Sequence, residues 1–92
     1  MERHLNITVT GNVQGVAYRA YTQKKATELG LKGFVRNLED GSVYLEIEGE
    51  QLPLAKMLSW CQKGSPTAKV TSMQVKMGPL KGYQQFDIDG MR

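Results

Sequence analysis

The sequence predicts an α+β fold in which two helices cover one face of an antiparallel β-sheet, an α/β sandwich. Three observations predict it: several segments alternate apolar and polar residues as half-buried strands do, two segments carry apolar residues at helical spacing, and the elements follow the order strand, helix, strand, strand, helix, strand, strand. A sheet whose strands each have one polar face can expose that face to water, so helices are needed only on the opposite, apolar face. The ferredoxin-like arrangement, βαββαβ, is the simplest topology for that order.

The first part of the chain predicts a strand and a helix. Apolar and polar residues alternate over residues 4–11, which predicts a strand. Residues 18–29 predict a helix, because its inward stripe at i, i+4, i+8 and i+11 is formed by Tyr18, Thr22, Ala26 and Leu29. Gly30 stands where a left-handed C-terminal cap belongs.

A hairpin follows, made of strands over residues 33–38 and 42–48. The connecting Glu39-Asp40-Gly41 is typical of a turn, since glycine accepts a positive φ. The second of these strands alternates without interruption. Its predicted inward residues are Val43, Leu45 and Ile47, and its predicted outward residues are Tyr44, Glu46 and Glu48.

The remaining elements are a helix and two strands. The helix is predicted to begin near Pro53 and to stop at Gly64-Ser65-Pro66, with one face lined by Leu54, Leu58 and Cys61 and with Met57 beside them. A strand is predicted over residues 69–77, with Met73, Val75 and Met77 in phase. Val70 is out of phase, which predicts a bulge or a late start. A short strand over residues 85–89 completes the sheet.

Length and composition indicate one ordinary globular domain over residues 1–92, and nothing in the pattern requires more than a monomer. The net charge of +3 suits a small anionic ligand but is too weak and scattered to indicate nucleic acid. No apolar stretch approaches the ~20 residues of a membrane span, and the N-terminus has no signal-peptide pattern. A single cysteine cannot form an internal disulfide, so we expect a cytoplasmic location.

Residues 11–19, with the sequence GNVQGVAYR, are the strongest candidate for a binding site. A strand leads through a glycine-bearing loop into a helix start, where loop and first-turn N–H groups converge on one point. Arg19 adds a planar, permanently charged guanidinium that matches phosphate oxygens. From the residues alone, an ordinary strand-to-helix connection with an exposed arginine is an equally good interpretation.

The other reactive residues predict no nucleophile, metal site or cofactor. His4 is expected to be a surface residue at the frayed start of a strand, and Cys61 a small apolar residue of the core. Glu46 and Glu48 are interpreted as the polar side of a half-buried sheet. No cluster has the spacing of zinc or magnesium ligands.

Residues 11–19 closely resemble the signature of the acylphosphatase family, G-x-V-Q-G-V-x-[FY]-R, with Asn12 and Ala17 at its variable positions. Residues 33–43, GFVRNLEDGSV, match the family's second block, G-[aromatic]-V-x-N-x-x-x-G-[ST]-V. The resemblance spans essentially the whole chain. It implies a small hydrolase that splits acyl phosphates into a carboxylate and inorganic phosphate, without a metal or cofactor.

The resemblance also implies the roles of individual residues. Arg19 would bind the phosphate, and Asn37 would orient the attacking water. The backbone N–H groups that would surround the phosphate belong to Gln14, Gly15, Val16, Ala17 and Tyr18. Inorganic phosphate or sulfate is the expected ligand of such a site. Without the family pattern, Asn37 would be interpreted as a turn residue beside Glu39-Asp40-Gly41.

Two other functions stay open at this point. A nucleic-acid-binding module is one, because Lys32-Gly33-Phe34-Val35 resembles the start of an RNA-recognition motif, although Val35 and Arg36 break the match. A non-catalytic module that only binds an anion is the other, since binding and hydrolysis would use the same loop.

Overall fold

The computed structural model describes residues 1–89 and confirms the α+β sandwich with two helices on one face of the sheet. The strand order is β4-β1-β3-β2-β5, so that β3 separates β1 from β2 as the split βαβ arrangement requires. The last three residues of the predicted domain lie outside the described part. The elements are β1 (Arg3–Asn12), α1 (Tyr18–Glu28), β2 (Lys32–Asn37), β3 (Val43–Gly49), α2 (Gln51–Lys63), β4 (Lys69–Gly78) and β5 (Phe86–Ile88).

The sheet is mixed, whereas the sequence predicted that all its strands are antiparallel. β5 runs parallel to β2, with Gly33 opposite Phe86 and Val35 opposite Ile88. The other three pairs, β1 with β3, β1 with β4 and β2 with β3, are antiparallel. The chain leaves β4 at one edge of the sheet and crosses to the opposite edge before β5 begins. Alternation along a strand carries no information about that direction.

The predicted irregularity near Val70 is a bulge between β1 and β4. The register shifts between Thr10 and Gly11, whose partners are Ser72 and Val70. Gly11 has a φ of 135°, and a Cβ there would collide with the carbonyl oxygen of Lys69. The bulge therefore requires glycine at the point where the strand leads into the loop.

The core lies between the sheet and the helices, with α1 over β2 and β5 and α2 over β3 and β4. Cys61 is fully buried, as predicted, and burial raises the pKa of its thiol to about 12. α2 begins at Gln51, two residues before the predicted start, and Pro53 stands in its first turn, where no intrahelical N–H bond is needed. Within residues 1–89, neither helix has the length and apolar character that a membrane crossing requires.

The outer face of the sheet is partly covered, which corrects the expectation for His4. His4 is only 1% exposed, and its Nδ1 lies 2.7 Å from Oε2 of Glu48. Glu48 also accepts hydrogen bonds from the backbone N–H groups of Lys81, Gly82 and Tyr83. The segment before β5 thus returns across this face and buries residues that the alternation correctly placed on it.

Glu46 points to the same face and is also buried, although the sequence predicted a solvated carboxylate. Its two oxygens accept hydrogen bonds from the hydroxyl groups of Tyr44 and Tyr83, each at 2.6 Å. Both glutamates therefore anchor the returning segment, which is a structural role and not that of a catalytic pair.

Acid is expected to destabilise the fold through Glu48. Burial raises the pKa of its carboxyl, but hydrogen bonds from the N–H of Lys81, from His4 and from the N–H groups of Tyr83 and Gly82 outweigh burial and bring the pKa below the ordinary value of 4.5. A carboxyl whose pKa is lower in the folded than in the unfolded state stabilises the fold at pH values above its unfolded-state pKa. This stabilisation is lost as the pH falls through the folded-state pKa. Melting temperatures between pH 6 and pH 3 measure this loss.

The matched variants are Glu48→Gln and Glu39→Gln, of which only the first replaces a buried carboxylate. Glu48→Gln should lower stability at pH 6 by about 1–3 kcal/mol and flatten the decline on the acid side. Glu39→Gln should leave the pH profile as it is. If the Glu48 variant lost stability in parallel with the unmodified chain at every pH, the pKa of the Glu48 carboxyl would be the same in the folded and unfolded states and this account would be wrong.

Candidate active site

The loop between β1 and α1 contains two left-handed backbone positions. Gly15 has a φ of 75°, and Ala17, which precedes α1, has φ 60° and ψ 24°. A residue with a Cβ pays about 1–2 kcal/mol for this conformation, and such positions cluster at functional sites. Nothing lies within 4 Å of a Cβ built on Gly15, so its positive φ, and not a lack of space, favours glycine there.

The loop leaves its N–H groups available to a ligand. Among the described residues, no backbone–backbone hydrogen bond has an N–H group of residues 14–17 as its donor. α1 begins directly afterwards at Tyr18, and the first-turn N–H groups of a helix have no acceptor within the helix. Loop and helix start therefore present a set of donors suited to an anion.

Of this segment, Gly15, Ala17 and Tyr18 border a cavity of about 180 Å³. Arg19, the half-buried second residue of α1, lines it, and so does Asn37, the last residue of β2. The structure thus brings together the two side chains to which the family resemblance assigns the chemistry. The cavity is smaller than the pockets of drug-sized ligands and suits a small anion. Its other lining residues are Val13, Ala20 and Ile88.

The side chain of Asn37 contributes to this cavity a hydrogen-bond acceptor that the described chain leaves unused. Its Oδ1 is buried and accepts no hydrogen bond from any residue in the described chain. Burying an unpaired acceptor costs about 1–3 kcal/mol, and each such atom in a native protein calls for an explanation. An acceptor held open at the wall of this cavity can receive a hydrogen bond from a bound ligand or water.

Within the hairpin turn after β2, the side chain that accepts hydrogen bonds is that of Asp40 and not that of Asn37, which argues against the turn interpretation of Asn37. Oδ1 of Asp40 accepts from the backbone N–H of Ser42 at 2.9 Å and from its hydroxyl at 2.5 Å. These bonds hold the pKa of the Asp40 carboxyl below its usual value. The N–H of Gly41 closes the turn on the carbonyl of Leu38.

Gln14 does not line the cavity, and its side chain has a role that the sequence analysis missed. Its Nε2 donates to the carbonyl oxygens of Leu38 and Ser42, each at 2.8 Å. Because Leu38 directly follows Asn37, these two bonds tie the loop to the hairpin that carries Asn37. The fixed glutamine of the family pattern was the only signal for such a role, and it did not show what the side chain contacts.

Gln14→Met is expected to lower kcat about tenfold, because it keeps the volume of the side chain and removes both bonds that set the loop against Asn37. Stability should fall by about 1–3 kcal/mol. Gln23→Met is the control, since Gln23 also donates to a backbone carbonyl, that of Phe86 at 3.0 Å, but lies outside the cavity. Steady-state kinetics and thermal melting measure both variants. Equal loss of kcat in the two variants would contradict a positioning role for Gln14.

Residues at and just after the C-terminal end of α2 form hydrogen bonds with the loop and with the first residue of α1. Tyr18 is 1% exposed, and its hydroxyl donates to the carbonyl of Cys61 at 2.9 Å. The hydroxyl of Ser65 donates to the carbonyl of Val16, which does not line the cavity, at 2.8 Å. Burial raises the pKa of the Tyr18 phenol, which excludes it as an acid or base near neutral pH.

The side chains of residues 1–89 form no group of three or more His, Cys, Asp or Glu that could hold a metal ion. The chemistry of the described cavity is therefore that of N–H donors, one guanidinium and one amide. Such a site can bind an anion and orient a water molecule, but it lacks a nucleophile–base pair.

Known proteins of one family are similar to this chain. The acylphosphatase family model matches residues 5–88. The chain is 46% identical over 84 residues to the acylphosphatase of Archaeoglobus fulgidus, which covers 91% of this chain and 94% of that one. It is 47% identical over 87 residues to the acylphosphatase of Methylococcus capsulatus, covering 94% and 95% of the two chains.

A solved structure shows the same fold. The structure of an acylphosphatase from Coxiella burnetii has a TM-score of 0.92 and 36% identity, and the match covers 95% of this chain and 92% of that one. Fold and comparisons together define a small hydrolase with an α+β sandwich fold. The chain belongs to the acylphosphatase family. It is an enzyme that hydrolyses acyl phosphates.

Proposed function

We propose that this enzyme holds the phosphoryl group of its substrate in the cavity between residues 14–18 and Arg19, and that Asn37 positions the attacking water. The observation that carries the proposal is the placement of Arg19 and the unpaired Oδ1 of Asn37 on the walls of one small cavity. The two residues come from different elements, and no other role in the described fold accounts for that open acceptor.

Binding of the phosphoryl group rests on hydrogen bonds. The Arg19 guanidinium donates two of them to phosphate oxygens, each worth about 1.5–3 kcal/mol because the partners are charged. The available N–H groups of the loop add further donors in a partly dry site. Inorganic phosphate, the product, and sulfate, its analogue, are ligands of the same donors.

Hydrolysis then needs little more than positioning. The water oxygen forms a bond to phosphorus while the bond between phosphorus and the acyl oxygen breaks, and the acyl group leaves as a carboxylate. The conjugate acid of that leaving group has a pKa near ~4, so no general acid is needed. The loose transition state of phosphoryl transfer needs no strong base. Asn37 accepts a hydrogen bond from the attacking water, and a phosphate oxygen accepts the proton that the water loses.

The structure supports this function over an RNA-binding role. A base-stacking surface would have to lie on the outer face of the sheet. That face carries the buried carboxylates of Glu46 and Glu48, and the segment before β5 lies across it. Negative charge and a bound segment both oppose a phosphate backbone there.

Loss of benzoyl phosphate absorbance on adding the protein tests turnover directly, and inorganic phosphate should inhibit it competitively. A crystal soaked in phosphate should show the anion between the loop N–H groups and Arg19. Binding of phosphate without turnover would leave only an anion-binding module. An empty cavity, with the Arg19 guanidinium turned into solvent, would overturn the proposed site.

We further propose that the enzyme acts as a monomer in the cytoplasm, as one domain over residues 1–92. The described residues of this chain supply Arg19, Asn37 and the loop donors, so the proposed site needs no residue of a second copy, and the lone Cys61 is buried and unpaired as a thiol of a reducing compartment would be. Light scattering should give the mass of one chain, and activity should rise in proportion to protein concentration. A mass of two chains would contradict the first part of this proposal.

A further inference from the structure

The cavity continues onto the outer surface of α1. A shallow groove of about 290 Å³ adjoins it and is lined by Ala20, Tyr21 and Lys24. Ala20 lines both the cavity and the groove, so a molecule whose phosphoryl group lies beside Arg19 can extend over Ala20 into the groove. The groove thus lies where the non-phosphoryl part of a substrate has room.

The groove combines an apolar floor with one positive charge. Tyr21 is 42% exposed, and together with the methyl group of Ala20 it offers apolar surface to a short carbon chain. Lys24 is exposed and stands one helical turn after Ala20, on the same side of the helix. Glu28 and Lys25 lie further along the helix and line, with Lys24, the next depression.

The charged residues of the described chain that line the cavity and the groove are all positive. Of the described residues that line the cavity and the groove, only Arg19 and Lys24 are cations, and none is an anion. Because Arg19 is engaged by the phosphoryl group in the proposed function, Lys24 remains for a second negative charge. Lys24 stands four positions after Ala20, the residue at which cavity and groove meet, a rise of about 6 Å along the same side of the helix. A short dicarboxylic acid spans such a distance between its two ends.

We propose that the groove binds the acyl group and that Lys24 recognises a distal carboxylate, so that acyl phosphates of short dicarboxylic acids are preferred substrates. The inference rests on the proposed function, because it takes the position of the phosphoryl group from it. Tyr21 contacts the carbon chain, and Lys24 contributes specificity without touching the reacting atoms.

The test compares kcat/KM for succinyl phosphate, which has a distal carboxylate, with kcat/KM for acetyl phosphate, which has none. In Lys24→Gln the ratio of the two values should fall about two- to fivefold, the range of an exposed ion pair. Lys24→Glu should lower it further, and added salt should reduce the difference between the variants. The control is Lys56→Gln, an exposed lysine of α2 that lines neither the cavity nor the groove and should leave the ratio unchanged.

The outcomes separate this inference from the proposed function. If the unmodified enzyme hydrolysed neither acyl phosphate, the proposed function would fail. If it hydrolysed both, and Lys24→Gln left their ratio as it was, the function would stand and the groove would not be the acyl site. The same fall in Lys56→Gln would reduce the effect to the net charge of the protein and would equally overturn the role of Lys24.

Discussion

Arg19→Lys is expected to lower kcat/KM for benzoyl phosphate about a hundredfold or more, although the positive charge is kept. An ammonium group is a point charge, and it lacks the planar fork that donates two parallel hydrogen bonds to phosphate oxygens. Removal of one well-placed donor to a developing charge commonly costs two to three powers of ten. Steady-state kinetics with benzoyl phosphate, together with the inhibition constant of inorganic phosphate, measure the loss.

Arg3→Lys is the matched control, because Arg3 begins β1 at the end opposite to the loop and does not line the cavity. Its kinetics should equal those of the unmodified enzyme. Near-normal turnover in Arg19→Lys would contradict the assigned role of the guanidinium. An unchanged melting temperature in that variant would show that the loss is chemical and does not come from unfolding.

Asn37→Ala is expected to lower kcat about a hundredfold while the inhibition constant of inorganic phosphate changes only a few-fold. The amide would be lost from the site of the attacking water, whereas the phosphate ligands, the loop N–H groups and Arg19, would remain. The stability of the fold should not decrease much, since the buried Oδ1 has no partner in the described structure whose hydrogen bond would be broken.

The comparison of kcat with phosphate inhibition decides the role of Asn37, because an interaction made only in the transition state lowers kcat and leaves ground-state binding intact. Equal losses in both quantities would make Asn37 a binding residue. A large fall in melting temperature would make it a structural one. Asn12→Ala is the control: Asn12 is exposed, lies at the end of β1 and occupies a variable position of the family pattern.

Local pattern was sufficient to predict most of the fold. The assignment of β3 residues to the two faces of the sheet, the buried stripe Tyr18, Thr22 and Ala26 in α1, the bulge near Val70 and the left-handed Gly30 are all confirmed. Each depends on neighbours in the chain, on a period of two or 3.6 residues or on the φ of one glycine. The phase of Met73, Val75 and Met77 is confirmed too, but Val75 and Met77 stay exposed because β4 is an edge strand.

Contacts between distant segments account for what the pattern did not show. The direction of β5, the burial of His4 and the anchoring of Glu48 all depend on where the chain returns after β4. Residues 81–83 have no alternation or cap that reveals this return. A carboxylate on the polar face of a strand is the same in sequence whether it meets water or three backbone N–H groups.

For the site, the sequence by itself determined the chemical types: a glycine-bearing loop at a helix start, one arginine, and an asparagine in a second block that resembles the same family. Only the tertiary structure decided that Arg19 and Asn37 border one cavity and that Gln14 ties the loop to the hairpin. The physical reason is that loop and hairpin lie about twenty residues apart and meet only through the pairing of strands. Their distance in space follows from packing, which residue types alone do not encode.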